Sequence, residues 1–210
     1  HCDYGERNAE GFPFQTAPRN IIKYHHEHFD GSGPYGLEGE EIPLLARIIS
    51  FADTVDNLFH FERSGHENKN RILDFASKKR GSWYSTELVD TFFALSELPS
   101  FWLELQNQFV YGSLLRRLPE KSSKLNWKEV FEFTEVFSRI IDSKSHFTYR
   151  HSSGIEEKNR IMAEYYDFDE EHSYKLRTAA ALHDLGKLAL PNELLNKPSS
   201  LTDEEFEVVR

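Results

Sequence analysis

The sequence holds a single cysteine, Cys2, among 210 residues, which excludes an internal disulfide and fits a reducing cytosol. No apolar run approaches the roughly 20 residues that a membrane-spanning helix needs, and no signal peptide is visible. Basic side chains are outnumbered, 25 against 35 acidic, for a net charge of −10. That balance argues against binding to DNA, RNA or an anionic membrane, each of which needs a basic face. It leaves room for a small anionic substrate, because metal ions can supply positive charge locally. The chain opens on His1 rather than methionine and stops at Arg210 inside a helical pattern, so both ends read as cut.

Apolar residues make up 39 % of the chain and phenylalanine occurs 17 times, enough for a buried core in one large domain or two small ones. Helical spacing predicts helices at 18–28, from Pro43 to about 59, 70–79, 85–95, 99–118, 127–141, 152–166 and 170–182. Pro43 is expected in a first helical turn, where its missing N–H is harmless. Thr202 and Glu205 have the spacing of a capping box for a last helix. Loops are expected at 30–39 and 62–68, and residues 119–124 form a polar linker. No segment reads as a strand, so the predicted class is all-α.

Four features carry chemistry. His183-Asp184, followed by Gly186 and Lys187, offers a nitrogen ligand, a carboxylate able to bridge two metals, and a cation where a phosphate would sit. His25-His26-Glu27 places two imidazoles at the expected end of a helix. Asp53 lies on an otherwise apolar helix, where a buried carboxylate would need a metal or a basic partner. His151 opens another helix. Singly, each has a plainer reading: a His-Asp pair arises by chance, and a His-His pair is commonly a surface or packing feature. Together they have the composition of a two-metal hydrolase site. Mixed imidazole and carboxylate ligands favour iron, manganese or zinc over magnesium or calcium. His28, His60, His66, His146 and His172 read as solvated, and Cys2 as incidental.

These motifs resemble those of the HD-GYP phosphodiesterases. The similarity runs through Leu182-His183-Asp184-Leu185-Gly186-Lys187, Leu195-Asn196-Lys197-Pro198 and Leu201-Thr202-Asp203-Glu204-Glu205-Phe206. It runs equally through His25-His26-Glu27, Asp30-Gly31-Ser32-Gly33, Gly39-Glu40-Glu41-Ile42-Pro43 and Ala52-Asp53. It covers about residues 1–95 and 135–210, with the two halves in the reverse of the family order. The resemblance therefore implies an HD-domain helical bundle present as a C-terminal half (1–95), a helical linker (96–134) and the N-terminal half of a second domain (135–210). A tandem protein explains this order; a circularly permuted packing of the two halves is the alternative.

The resemblance also implies roles. His183, His151 and Asp53 would bind one ion, Asp184 would bridge, and His1, His25 and His26 would hold the other. Lys187 would bind phosphate, and Gly33, Pro34 and Tyr35 would contact substrate. Two divalent ions, iron or manganese, would supply a metal-bound hydroxide that hydrolyses a phosphodiester of a cyclic dinucleotide such as cyclic di-GMP, in the cytoplasm. The family's Gly-Tyr-Pro loop is replaced here by Gly33-Pro34-Tyr35-Gly36, which opens the substrate to other nucleotides. Phe147 stands where a third-metal carboxylate would lie. The rival readings are a phosphohydrolase on other nucleotides, a non-catalytic signalling or scaffold module that contacts other signalling domains or dimerises, and a metal-free helical interaction domain.

Overall fold

Side-chain pattern explains most of the helices. In the segment Leu44–Phe59, the residues Ala46, Arg47, Ser50, Phe51 and Val55 recur at helical spacing and are buried. The same logic sets the order α1 (Cys2–Ala9), α2 (Leu44–Phe59), α3 (Lys69–Lys79), α4 (Thr86–Ser96), α5 (Pro99–Glu104), α6 (Asn107–Arg117), α7 (Trp127–Lys144), α8 (His151–Tyr165), α9 (Glu170–Leu182), α10 (Asn192–Leu195) and α11 (Asp203–Val209). Short 3-10 turns occupy Gly39–Glu41 and Leu185–Ala189. The computed structural model describes residues 1–10, 12, 19–60, 68–118, 124–144 and 151–209, without the side chains of 151–153. Among the described residues there is no strand, only isolated bridges between Asp30 and Glu38 and between Arg80 and Tyr84. The all-α expectation holds. No helix of the described residues is long and apolar enough to cross a membrane.

The chain divides into two units, one of His1–Glu6 with Pro18–Ser122, the other of Arg7–Ala17 with Ser123–Arg210. The core of the first unit gathers Phe51 and Val55 of α2, Ile72 and Ala76 of α3, Tyr84 just ahead of α4, Val89 and Phe92 of α4, and Trp102 of α5. Phe51 meets Tyr84 and Phe92 edge-on at 4.9 and 4.8 Å between ring centroids, the arrangement that ring quadrupoles favour. The buried Trp102 indole N–H donates to the Ser96 carbonyl at 2.8 Å, which satisfies a polar atom the core would otherwise strand. Ser85 caps α4 by accepting the Leu88 N–H.

Three sequence expectations change here. The helix expected at 18–28 is not formed by its described residues, 19–28: 19–26 are a run of turns. The reason is the Glu6 carboxylate of α1, which accepts the backbone N–H groups of Asn20 and Lys23 (the latter at 3.0 Å), while Asn20 adopts the left-handed region at φ 68°. Pro43 is the N-cap of α2 rather than a first-turn residue. The expected helix 99–118 is two helices, broken where Gln106 takes an extended backbone. No proline or glycine marks that break, so the periodicity runs through it. Residues 61–67 and 119–123, expected as loop and linker, lie outside the described residues together with His66 and His146.

In the second unit α9 packs on both α7 and α8. Its buried Thr178, Ala180 and Ala181 allow the close approach. Phe131, Val136 and Ile141 of α7 supply apolar bulk. Arg177 lies over the Phe131 ring at 4.1 Å and pairs with Glu156 at 2.7 Å, which joins α9 to α8. The predicted capping box is present: Glu205 accepts the Thr202 N–H at 2.8 Å, and Thr202 Oγ1 accepts the Glu205 N–H at 3.3 Å.

Candidate metal centre

In the first unit, α1 leaves no room for a side chain at Gly5, where a Cβ would stand 2.8 Å from Ile22 Cγ2. This close approach and the Glu6 hydrogen bonds press the 19–26 turns against α1. His1 is thereby brought to the neighbouring histidines. Its Nε2 lies 2.9 Å from His26 Nε2, and the His25 and His26 rings are 3.9 Å apart. Cys2 Sγ lies 3.7 Å from the same His1 nitrogen. The ligand atoms of His1, Cys2, His25 and His26 all fall within 4.8 Å of one another.

Protonation suits this cluster to a cation. His25 Nδ1 is 2.5 Å from the Ile22 carbonyl, which can only accept, so that nitrogen carries the proton and Nε2 keeps its lone pair. Burial, reinforced by neighbouring His25, lowers the His26 pKa below its ordinary value, against an opposing pull from Asp53. His26 is therefore mainly neutral near pH 7, the form that binds metals.

Glu27 follows the pair and points elsewhere. It is 1 % exposed, and its two oxygens accept the backbone N–H groups of Tyr35 and Leu37, each at 2.7 Å. The loop beyond it is thus fastened from below. Gly33 is required there, because a Cβ would sit 2.7 Å from Glu27 Cα and 2.8 Å from the His28 nitrogen. The fastened loop presents Tyr35, which donates its hydroxyl to Asp3 at 3.3 Å and lies beneath the Lys23 ammonium at 5.3 Å.

In the second unit, His183 and Asp184 close α9, whose carbonyl end favours positive charge. His183 Nδ1 donates to the Ala180 carbonyl at 2.7 Å, which turns the lone pair of Nε2 outward. That atom stands 3.2 Å from Asp184 Oδ2, so a nitrogen and a carboxylate oxygen lie within reach of one another at the end of α9. Lys187 Nζ contacts the same oxygen at 2.6 Å. The Leu185–Ala189 turn is held by Lys144 of α7, which donates to the Leu188 and Leu190 carbonyls at 2.6 and 2.7 Å. Beside it opens a cleft of about 550 Å³, lined by His183, Asp184, Lys187, Lys197, Ser199 and Ser200 among others.

The structure therefore brings together His1, His25 and His26 in one unit, and His183, Asp184 and Lys187 in the other. Gly33 and Tyr35 lie on the fastened loop with Pro34. Asp53 is corrected: it is exposed rather than buried, and its carboxylate accepts from Asn57 one turn on at 3.0 Å, though it is near enough to act on His26. His151 opens α8 as expected, but its side chain lies outside the described residues, as does Phe147. His28, expected to be solvated, is half-buried: it stacks on Trp83 at 4.3 Å and 8°, and bonds Ser32 at 2.8 Å. Cys2 is not incidental, since it is buried within the histidine cluster. Glu6, Glu27 and Lys144 were given no role by the sequence. Only Glu27, adjoining the histidines, carried a signal there; the other two act through contacts distant along the chain.

The donor set fits divalent transition ions: imidazoles whose second nitrogens are pinned, and a carboxylate at a helix end. All-helical units that bear clustered histidines and a terminal His-Asp pair define a class of imidazole- and carboxylate-rich helical sites. Within that class the chain belongs to the HD domain family, whose model matches residues 1–88 and 135–210. It is 30 % identical to 3'3'-cGAMP-specific phosphodiesterase 3 of Vibrio cholerae over 212 residues, which is 100 % of this chain and 45 % of that protein. It is 32 % identical to a cyclic di-GMP phosphodiesterase of Thermotoga maritima over 81 residues, 39 % of this chain and 22 % of that one. Among solved structures, the crystal structure of the cyclic GMP-AMP specific phosphodiesterase V-cGAP3 of V. cholerae matches with a TM-score of 0.72 at 29 % identity, over 99 % of this chain and 50 % of that chain. The chain thus spans about half the length of the relatives that it matches throughout.

Proposed function

We propose that this chain is part of a metal-dependent phosphodiesterase that hydrolyses a cyclic dinucleotide, with 3'3'-cGAMP the first substrate to test. The observation that carries this reading is the convergence of His1, His25 and His26 in a chain that also bears the His183-Asp184 dipeptide and belongs to the HD domain family. Residues 1–95 would be the back half of one HD domain and 135–210 the front half of a second, joined by a helical connector at 96–134. Collinear similarity to the cGAMP phosphodiesterase over the whole chain supports this order.

His1, His25 and His26 would hold one ion, with Asp53 as a further ligand in the same half; His183 and Asp184 would bind at the α9 terminus, with His151 as a further ligand. Bound divalent ions, iron or manganese, would supply Lewis acidity and a hydroxide nucleophile near neutral pH. The chain's own groups do the rest. Lys187 neutralises a phosphate oxygen, and its contact with Asp184 keeps it in place before substrate arrives. The Glu27-fastened loop presents Pro34 and Tyr35 to a base or ribose.

The Gly33-Pro34-Tyr35-Gly36 loop supports a second reading, a phosphohydrolase acting on another nucleotide. Both are tested by incubating the full-length protein, loaded with manganese or iron, with 3'3'-cGAMP, cyclic di-GMP and linear nucleotides. The expected result is a linear dinucleotide from a cyclic one, with rates at least about 100-fold lower in the His26→Ala/Asp184→Ala double variant, which disables both domains. Turnover of linear nucleotides alone favours the second reading, and metal binding without turnover of any would mark a signalling module.

A further inference from the structure

We propose that helix α6 is a self-association surface, on which a second copy of this chain docks its own α6 in the antiparallel sense, an association that does not depend on the hydrolytic reading above.

Helix α6 buries a small polar side and exposes an apolar one. Ser113 is its buried residue, with Val110 half-buried a turn before it. Tyr111, Leu114, Leu115 and Leu118 are 72, 56, 53 and 60 % exposed. Their spacing of i, i+3, i+4 and i+7 sets them in one stripe along the helix and onto Leu118, the residue that ends it. A lone exposed leucine needs no cause, but a continuous stripe of four large side chains marks an interaction site. Those fractions correspond to roughly 450 Å² of apolar surface. Interfaces are about 57 % apolar by area, so a patch of roughly that size is the apolar share of a standard interface of about 800 Å² per partner.

The flanking charges select the partner and its direction. Arg116 and Arg117 stand at the C-terminal end, bonded to Ser113 at 2.9 Å and to Glu104 at 2.6 Å. Both arginines are thus engaged within the unit, and the chain carries a net charge of −10, so the stripe lacks the free basic rim of a helix that lies on an anionic membrane. In a parallel pair the arginines of both copies would crowd one end. In an antiparallel pair they lie at opposite ends, beside the partner's neutral Asn107 and Gln108, and the helix dipoles oppose each other. The twofold axis then passes between Leu114 and Leu115, and Tyr111 of each copy meets Leu118 of the other.

The test is sedimentation equilibrium of the full-length protein. Wild type should be a dimer that dissociates on dilution. Leu115→Glu, which sets two carboxylates beside the axis, should weaken the dimer at least about thirtyfold while the circular dichroism spectrum stays the same. A second measurement covers a variant that fails to fold: mild oxidation of Leu115→Cys should link two copies above the wild-type background. Leu118→Cys should not, because the antiparallel register separates that pair by about 10 Å along the helices. A protein that is monomeric at every concentration, a dimer that Leu115→Glu leaves unchanged, or linkage through Leu118→Cys as efficient as through Leu115→Cys would overturn the antiparallel pair. A monomer whose melting temperature falls in Leu115→Glu would assign the stripe to another part of its own chain. A monomer that floats with phosphatidylglycerol vesicles would assign it to a membrane surface. Either result would equally overturn the proposal.

Discussion

Glu27 and Tyr35 are joined by a hydrogen bond of 2.7 Å from a backbone N–H to a fully buried carboxylate, with Leu37 bonded to the other oxygen at the same distance. Removing the carboxylate strands two donors, each at a cost of about 1–3 kcal/mol. Glu27→Ala should therefore lower unfolding stability by about 2–4 kcal/mol, measured by urea denaturation. Glu27→Gln keeps one acceptor oxygen and should cost less. Equal stability of wild type and Glu27→Ala would show that the loop is not fastened there.

Gly5 touches Ile22 so closely that a methyl group at Gly5 would meet Cγ2 at 2.8 Å. Gly5→Ala should push the 19–26 turns away from α1 and separate His1 from His26. Metal affinity should fall by about tenfold or more. Gly5→Ala with Ile22→Ala, which removes the Cγ2 that the new methyl group would meet, should recover part of it. Isothermal titration with zinc reads both; unchanged affinity in Gly5→Ala would mean that the contact does not set the cluster.

His26 carries a pH dependence whose sign follows from its lowered pKa, caused first by burial and next by His25. Above the unfolded value near 6.5 both states are neutral and the group contributes no difference. As pH falls through that value, the unfolded chain takes up the proton first, so stability declines with falling pH until the folded-state pKa is passed. Urea midpoints of wild type and His26→Gln, compared at pH 8 and pH 5, should show a larger loss for the wild type. Parallel losses would remove His26 as the cause.

Lys144 grips the turn that carries Lys187 by donating to two carbonyls, of Leu188 and Leu190. Lys144→Met preserves length and apolar stem but leaves both acceptors without that donor. Stability should fall by about 1–3 kcal/mol. Hydrogen exchange of the 185–190 amides should rise while α9 remains protected. No change in those amides would place the restraint elsewhere.

Helical content was legible in the sequence because apolar spacing is a local property: the bounds of α9 were read without error, and the Thr202–Glu205 box with them. The 18–28 segment misled because its own periodicity is helical, while the acceptor that captures its N–H groups, Glu6, comes from α1. Asp53 misled because an apolar helix suggested burial, and which face of α2 is covered depends on its neighbours.

The sequence by itself determined that the chain is all-helical, that it bears two sets of metal-ligand residue types, and that these sets come in the order His-His before His-Asp, because residue identity and helical period are written along the chain. Only the tertiary structure decided that His1 meets His26, that Cys2 turns its sulfur to the same place, and that Glu27 serves a loop instead of a metal. Those outcomes depend on where α1 is pressed against a turn some twenty residues away, by a missing side chain at Gly5 and a carboxylate at Glu6. Contacts of that kind are fixed by packing and by the satisfaction of buried polar groups, neither of which has a period that can be read from residue order.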